Sequence, residues 1–170
     1  MRHARGPNGT DVLLPLRLVG FTFRRARPDA AAAISALALR SKAHWGYDEE
    51  FLAACQAELT WSCDDIASRH CVVAERDGEL CGFFILAGTG EHGQLTDMFV
   101  EPRLIGTGLG GDLMRLALQQ ARDLGYATLG IDADPNATGF YEHFGGRLVS
   151  QTPSGSIVGR MLPHLEIQLS

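Results

Sequence analysis

The feature of this sequence that most constrains its fold is a glycine-rich loop between a short strand and a long helix. Residues 94–100 (QLTDMFV) predict the strand, and residues 107–124 predict the helix because their leucines and alanines recur at helical spacing. The loop and the first turn of the helix contain Gly106, Gly108, Gly110 and Gly111. Glycine allows a positive φ and close approach of a ligand, and the first N–H groups of a helix lack intrahelical partners. The segment therefore predicts an anion site that fits a pyrophosphate.

Two known phosphate-binding motifs fit this segment poorly. A P-loop needs a lysine after its glycines, and Lys42 is the only lysine in the chain. Gly106, Gly108 and Gly111 spell the GxGxxG of dinucleotide-binding folds, but residues 101–105 separate them from the strand. That strand is also not the continuous apolar run of a central parallel strand. A dinucleotide-binding oxidoreductase remains an alternative function.

The rest of the chain alternates between strand and helix patterns. A strand at 20–26 precedes two helices, one from Pro28 to about Arg40 and one from Asp48 to about Leu59. Beyond them the sequence predicts a hairpin at 70–76 and 80–87, strands at 127–133, 147–151 and 160–169, and a short helix at 136–144. The order β-α-α-β-β-β-α-β-α-β-β indicates a mixed sheet with helices against it, the α/β class in its α+β form.

Length and composition predict a single domain. The chain has 170 residues, of which 45% are hydrophobic, and it contains no internal repeat. We expect residues 1–18 to form a loose N-terminal leader, because their short apolar patch lacks the features of a signal peptide. Residues 19–170 then form the domain.

The net charge and the spacing of the cysteines limit the kinds of binding partner and the cellular compartment that we expect for this protein. The net charge is −5 without a run of like charges, which argues against nucleic acid or an anionic membrane surface as a partner. No apolar stretch approaches the roughly 20 residues of a membrane helix. The four cysteines form no CxxC pair, and no HExxH or Cys/His cluster indicates a metal. This pattern favours the cytoplasm, a reducing compartment.

The hairpin tests whether two of the cysteines could form a disulfide. Asp77-Gly78 predicts a two-residue turn, which sets Ala74 opposite Cys81. Cys71 is an odd number of positions from Ala74 and therefore points to the other face of the sheet. A disulfide between Cys71 and Cys81 is not expected, and all four cysteines are interpreted as small buried hydrophobic residues.

The glycine loop and the region after it resemble a known family. Arg103-x-x-Gly106-x-Gly108 is similar to the coenzyme A-binding motif of the GNAT superfamily of N-acetyltransferases. Residues 100–102 (VEP) match the usual end of the preceding strand. Asn136 followed by residues 139–142 (GFYE) matches the family's Asn and Phe-Tyr-Glu. The resemblance implies a mixed, mostly antiparallel twisted sheet flanked by helices.

The resemblance also implies an activity, the transfer of an acetyl group from acetyl-CoA to a primary amine of a small molecule or peptide by direct attack. The co-substrate would be bound by Met98, Phe99, Val100, Ile105, Gly106, Thr107, Gly108, Leu109, Gly110, Gly111, Asn136, Phe140 and Tyr141. Gly111 and Gly146 depart from the family, which often has Arg or Lys at the first position and usually Phe at the second. An acyl-CoA-binding module without turnover is a further alternative function.

Two residues are predicted to transfer protons. By resemblance, Tyr141 is the general acid for the leaving CoA thiolate, and a phenol with a pKa of about 10 suits that role. Asp97 is the candidate general base, because the attacking ammonium must first lose a proton, and Glu101 is its backup. The alternatives are that Tyr141 only packs beside the pantetheine and that the carboxylates are solvated.

The remaining predictions concern the acceptor and the assembly. Residues 41–47 (SKAHWGY) fall where the resemblance places the acceptor pocket, and His44, Trp45 and Tyr47 are expected to bind the amine substrate. A core position for Trp45 is the alternative. Apolar Leu162 and Leu165 on the last strands suggest a homodimer by analogy.

Overall fold

Eight strands form one sheet across the residues that the computed structural model describes, 16–18 and 20–170. The strands are β1 (Leu16–Leu18), β2 (Phe21–Arg25), β3 (His70–Arg76), β4 (Glu79–Thr89), β5 (His92–Val100), β6 (Thr128–Asp132), β7 (Arg147–Pro153) and β8 (Met161–Gln168). The helices are α1 (Ala31–Ala43), α2 (Glu49–Cys55), α3 (Cys63–Ser68), α4 (Leu109–Asp123) and α5 (Thr138–His143).

The spatial order of the strands is β1-β2-β3-β4-β5-β6-β8-β7. β5 and β6 pair in parallel, whereas all other neighbouring strands pair antiparallel. This mixed, mostly antiparallel sheet with flanking helices confirms the predicted fold class.

Helices cover both faces of the sheet. On one face Leu113 and Ala117 of α4 belong to a hydrophobic cluster that also includes Tyr141 of α5. On the other face Ile34 of α1 and Ile66 of α3 belong to a second cluster. The sheet therefore separates α4 and α5 from α1, α2 and α3. None of the described helices has the length and apolar character of a membrane span.

The pairing of β5 with β6 ends early and opens the middle of the sheet. Only three residue pairs join the strands, from His92 with Thr128 to Gln94 with Gly130. At this point Thr96 forms a bulge, because Leu95 lies opposite Leu86 and Asp97 lies opposite Ile85 of β4. Beyond the bulge β5 runs on to Val100 without a partner on its β6 side. A row of backbone N–H and C=O groups is therefore open along that edge.

The β3–β4 hairpin corrects the predicted register by one residue. Asp77 and Gly78 both have positive φ, 53° and 79°, as the predicted two-residue turn requires. A bulge between Ala74 and Glu75 then shifts the pairing, so that Ala74 lies opposite Gly82 instead of Cys81.

The cysteine prediction is confirmed in one part and wrong in another. Cys71 and Cys81 belong to the hydrophobic clusters on opposite faces of the sheet, and all four cysteines are free. Cys55 is buried as well, but Cys63 at the start of α3 is exposed.

Several boundaries differ from those that the sequence predicted. α2 ends at Cys55, and α3 was not predicted, although Ser62 and Asp65 form a capping box at its start. Residues 16–18 form β1 and pair with β2, although the sequence predicted them to be part of the leader. Residues 1–15 of that predicted leader lie outside the described residues.

Candidate active site

A cleft with a volume of about 500 Å³ lies where β5 and β6 diverge. Its walls come from β5, from the glycine loop before α4, from the end of β6 with α5, and from the end of α1 and the α1–α2 loop. The opening in the sheet therefore joins the predicted anion site to residues on the opposite face.

The backbone of the glycine loop is open toward the cleft. Gly106 and Gly108 have φ of 83° and 95°, and a Cβ at either residue would meet no atom within 4 Å beyond its chain neighbours. The first intrahelical bond of α4 runs from the Asp112 N–H to the Gly108 carbonyl over 3.1 Å. The N–H groups of residues 109–111 precede that bond and have no partner within the helix. This end of α4 has the donors and the dipole that an anion requires.

Two residues of the predicted loop contribute less than expected. The N–H groups of Ile105 and Thr107 already donate to the carbonyls of Pro102 and Leu104, both over 3.2 Å. The Leu109 side chain is buried in the core, but its backbone N–H is one of those in the first turn of α4 that lack a partner within the helix. The loop can therefore offer a phosphate the N–H groups of Gly106, Gly108 and the first turn of α4, and few others.

The other predicted co-substrate residues line the cleft. Met98, Phe99 and Val100 lie on the part of β5 that has no partner on its β6 side. Phe140 contacts the first turn of α4, 3.6 Å from where a Cβ at Gly110 would lie. Asn136 also lines the cleft, but its amide nitrogen donates to Tyr47 Oη over 3.1 Å and to Asp134 Oδ1 over 2.9 Å. The Asn136 amide is therefore partly committed to protein contacts.

Asp97 is half-buried in the wall of the cleft on β5. Burial raises the pKa of its carboxyl to about 6, while the Thr96 side chain and the charge of Arg69 lower it and the charge of Glu58 raises it. A carboxyl that ionises near pH 6 is a better general base at neutral pH than an ordinary, fully solvated aspartate.

The raised pKa of Asp97 predicts a pH-dependent effect on stability. Because the pKa of Asp97 in the folded state lies above the ordinary value of 3.8, the protonated carboxyl favours the folded state. This stabilisation is complete below about pH 4 and is lost as the pH rises through about 6. Above pH 6, Asp97→Asn should therefore stabilise the fold by roughly 1–3 kcal/mol, and at pH 4 it should give no gain. Thermal unfolding of both proteins at pH 4 and pH 8 measures the difference, and an equal change at both values would contradict the prediction.

Glu101, the predicted backup base, is held by an ion pair. Arg40 Nη2 lies 2.8 Å from Glu101 Oε2, and this hydrogen bond lowers the pKa of Glu101 below its ordinary value, although burial opposes the shift. Glu101 is not among the residues that line the cleft. These contacts favour Asp97 over Glu101 as the base.

Tyr141 lies on α5 and lines the cleft. Its ring packs edge-on against Phe140, with ring centroids 5.1 Å apart, and no described residue forms a hydrogen bond with its hydroxyl. Burial raises the pKa of its phenol above the ordinary value, and the negative charges of Asp97 and Asp134 act in the same direction. The phenol is therefore protonated at neutral pH and can act as a donor.

The α1–α2 loop brings one of its three predicted acceptor residues to the cleft. Trp45 lines the cleft and is 43% exposed, so it is not a core residue. His44 is exposed and packs edge-on against Trp45 instead of lining the cleft. Tyr47 stacks on Phe51 with ring centroids 4.0 Å apart, and its hydroxyl donates to Asp134 over 2.8 Å.

An ionic cluster that the sequence did not predict surrounds the Tyr47 hydroxyl. We call it the Asp134 cluster, and its members are Lys42, Tyr47, Asp134, Asn136 and Arg160. Lys42 Nζ lies 2.6 Å from Asp134 Oδ2, and Arg160 Nη2 lies 2.9 Å from Tyr47 Oη. Burial opposes ionisation of Asp134, but hydrogen bonds from Lys42, the Asn136 N–H and Tyr47 hold its pKa at about 2. The one signal in the sequence is that the only lysine lies within residues 41–47, the stretch that was predicted to border the acceptor pocket.

Two further findings concern metals and the predicted dimer contacts. Within the described part of the chain, no group of three or more His, Cys, Asp or Glu residues could hold a metal ion. Leu165 is fully buried in the protein's own core, and Leu162 lines the cleft. These leucines therefore do not support the predicted homodimer, which remains a prediction.

Comparison with known proteins decides the family. The sequence of residues 35–146, about two thirds of the chain, matches the acetyltransferase (GNAT) family. This chain belongs to that family. Membership confirms the predicted enzyme class, an acyltransferase that uses acetyl-CoA as co-substrate. A comparison with curated proteins found no match.

Solved structures share the GNAT fold of this chain. A GCN5-related N-acetyltransferase from Rhodopseudomonas palustris is 22% identical over 92% of this chain and 97% of that protein, with a TM-score of 0.72. The PaiA N-acetyltransferase from Thermoplasma acidophilum, solved in complex with coenzyme A, is 17% identical over 87% and 98%, with a TM-score of 0.71. Nourseothricin acetyltransferase is 23% identical over 89% and 100%, with a TM-score of 0.67. At these identities the likeness concerns the fold alone.

Proposed function

We propose that this GNAT enzyme transfers the acetyl group of acetyl-CoA to a primary amine of a small molecule or peptide by direct attack. The observation that carries the proposal is one continuous cleft, which runs from the open N–H groups at the start of α4 to Asp97 and Tyr141. The pyrophosphate would lie on α4, the pantetheine along the open edge of β5, and the thioester between the two proton-transfer groups.

Each step of the proposed reaction has a group suited to it. The ammonium of the acceptor loses a proton to Asp97, and the free amine attacks the thioester carbonyl carbon. Open N–H groups on β5 would stabilise the developing oxyanion. The tetrahedral intermediate then collapses, the carbon–sulfur bond breaks, and Tyr141 protonates the departing thiolate. The second proton of the attacking nitrogen returns to the tyrosinate through water, which restores the phenol. The raised pKa of Asp97 supports its role as a base near neutral pH, and Tyr141 is protonated there, as a proton donor must be.

The two alternative functions are weaker for separate reasons. A dinucleotide-binding oxidoreductase would hold its pyrophosphate beside a central parallel strand, whereas β5 pairs in parallel over only three residue pairs. A binding module without turnover has no need for a buried acid and a base with a raised pKa on the walls of one cleft.

Two measurements test the function, one after the other. In a thermal-shift comparison of acetyl-CoA, NADH and ATP, a ligand at about 100 times its Kd should raise Tm by roughly 5–10 °C, and we expect this only for acetyl-CoA. Release of CoA thiol is then followed with a panel of amines. Stabilisation by NADH alone would favour the oxidoreductase. Stabilisation by acetyl-CoA without thiol release for any amine would favour the binding module.

The position of the pyrophosphate can be tested at one residue. Gly108→Leu should weaken binding of CoA by at least about tenfold, because the side chain would occupy the open space before α4 and a leucine at φ 95° is strained. Gly125→Leu is a matched control at the other end of α4, where φ is 88° and a Cβ would likewise meet no atom within 4 Å. Titration calorimetry should detect weaker binding only in Gly108→Leu. Equal affinity in both variants would show that the site lies elsewhere.

A further inference from the structure

Arg160 extends from the β7–β8 loop into the wall of the cleft with most of its donors unused. Its guanidinium lies over the stacked rings of Phe51 and Tyr47, 4.8 Å and 5.3 Å from their centroids. Nη2 donates to Tyr47 Oη over 2.9 Å, and it lies 3.6 Å from Asp134 Oδ2. Nε and Nη1 have no acceptor among the described residues. The aromatic platform therefore holds a guanidinium whose remaining N–H groups are available to a ligand.

Within the Asp134 cluster, positive charges outnumber negative ones. Asp134 is the one carboxylate that the Asp134 cluster contains, and two cations, Lys42 and Arg160, contact it. The three side chains are only 14%, 14% and 18% exposed for Lys42, Asp134 and Arg160. A positive charge that is largely removed from water is stabilised by an anion, and the cluster supplies only one for two cations.

This positive charge lies on the acceptor side of the sheet and not on the pyrophosphate side. Arg160 stacks on Phe51 of α2, which packs against the cluster on the α1–α3 face. The open N–H groups of the glycine loop lie at the start of α4, and α4 covers the opposite face of the sheet. The excess charge is therefore separate from the site that the CoA phosphates would occupy.

Negative groups lie in the same half of the cleft. Asp97 and Glu58 both line the cleft, and the negative charge of Glu58 raises the pKa of Asp97. Glu58 also accepts a hydrogen bond from the Ser156 hydroxyl, in the same loop that carries Arg160. The cleft thus presents both carboxylates and a guanidinium with free N–H groups, and a zwitterion carries the two charges that match them.

We propose that Arg160, supported by Lys42, is an anion subsite for the acceptor, and that the acceptor is a small amine carrying its own oxyanion, such as an amino acid. This inference rests on the proposed acetyl transfer. The amine of the acceptor lies toward Asp97, and its carboxylate receives the free N–H groups of Arg160 in the forked geometry that guanidinium offers. A phosphonate or phosphate in place of the carboxylate presents the same chemistry.

Matched acceptors test the subsite. Several amino acids are compared with their decarboxylated amines, with the corresponding aminophosphonates, and with peptide amides that have a free N-terminal amine but no carboxylate. We expect thiol release from acetyl-CoA to be at least about tenfold faster, as kcat/KM, for the acids that carry an oxyanion. The phosphonate arm distinguishes the two oxyanions. Equal or faster acetylation of the decarboxylated amines or peptide amides would overturn the subsite.

A substitution then assigns the preference to Arg160. Arg160→Gln should lower kcat/KM for the amino acids about tenfold to a hundredfold, mainly because KM rises. The kcat/KM for the decarboxylated amines should change little. Arg147→Gln is the control, because Arg147 is exposed on the neighbouring strand β7 and the charge change is the same. An unchanged preference in Arg160→Gln would refute its role.

Binding of acetyl-CoA to both variants is measured separately by calorimetry and should equal that of the wild type. This measurement also shows that the variants are folded. If wild-type protein bound acetyl-CoA but acetylated all amines alike, only the anion subsite would fail. If it released no thiol with any amine, the proposed function itself would fail.

Discussion

Tyr141→Phe is expected to lower kcat by about 10²- to 10⁴-fold while the affinity for CoA changes little. The substitution keeps the ring that packs against Phe140 and removes only the hydroxyl. Because no described residue forms a hydrogen bond with that hydroxyl, its loss should leave no protein group unsatisfied. The unassisted departure of a thiolate from the buried cleft is what slows the reaction. Steady-state rates of thiol release, together with calorimetric titration of CoA, separate kcat from affinity.

A second tyrosine supplies the control for this experiment. Tyr126 packs against Gly93, outside the residues that line the cleft, so Tyr126→Phe removes a hydroxyl without touching the proposed reaction. Its kcat should stay within a factor of about two of the wild type. If Tyr141→Phe were equally active, the hydroxyl would have no part in the chemistry, and Tyr141 would be a packing residue beside the pantetheine.

Asp97→Asn is expected to lower kcat/KM by about 10²-fold at pH 7, and less at high pH. In the wild type the rate should rise with pH through about 6, because the pKa of Asp97 is about 6 and only the ionised carboxylate can accept a proton. The variant lacks this limb of the profile. As the pH approaches the pKa of the acceptor amine, more free amine is present without a base, so the defect should shrink. A pH profile from about 5 to about 10 measures the effect.

Glu101→Gln tests the competing assignment in the same profile. Glu101 is ion-paired with Arg40, and its lowered pKa makes it a weak base, so we expect little change in rate or pH dependence. A profile that lost its acidic limb in Glu101→Gln and kept it in Asp97→Asn would transfer the role of base to Glu101.

The parts of the fold that the sequence predicts are those with a local physical cause. The turn at Asp77 and Gly78 needs two residues with positive φ, and the start of α4 needs glycines, so both are visible in the sequence. The predicted register of the β3–β4 hairpin was wrong because it depends on a bulge at Ala74, which packing across the sheet decides. α3 was missed because it has only six residues, too few for a helical period to be recognised.

The candidate site likewise has parts that local sequence motifs predict and parts that only the folded chain brings together. The glycine loop and Tyr141 could be found from motifs within one stretch of chain. The choice between Asp97 and Glu101 could not, because it depends on burial for one and on an ion pair with Arg40 for the other. The Asp134 cluster was missed for a related reason. Lys42 and Asp134 are 92 residues apart, and Arg160 comes from a third segment, so only the folded chain brings them together.

The open edge of β5 has a consequence for how the sequence can diverge. Recognition through backbone N–H and C=O groups does not depend on which side chains residues 98–100 carry, so substitutions there can accumulate without removing the polar contacts. The exception is proline, which has no N–H to offer. If the pantetheine lies along this edge as proposed, exchange of these side chains would change the shape of the neighbouring pocket but not the backbone contacts to acetyl-CoA.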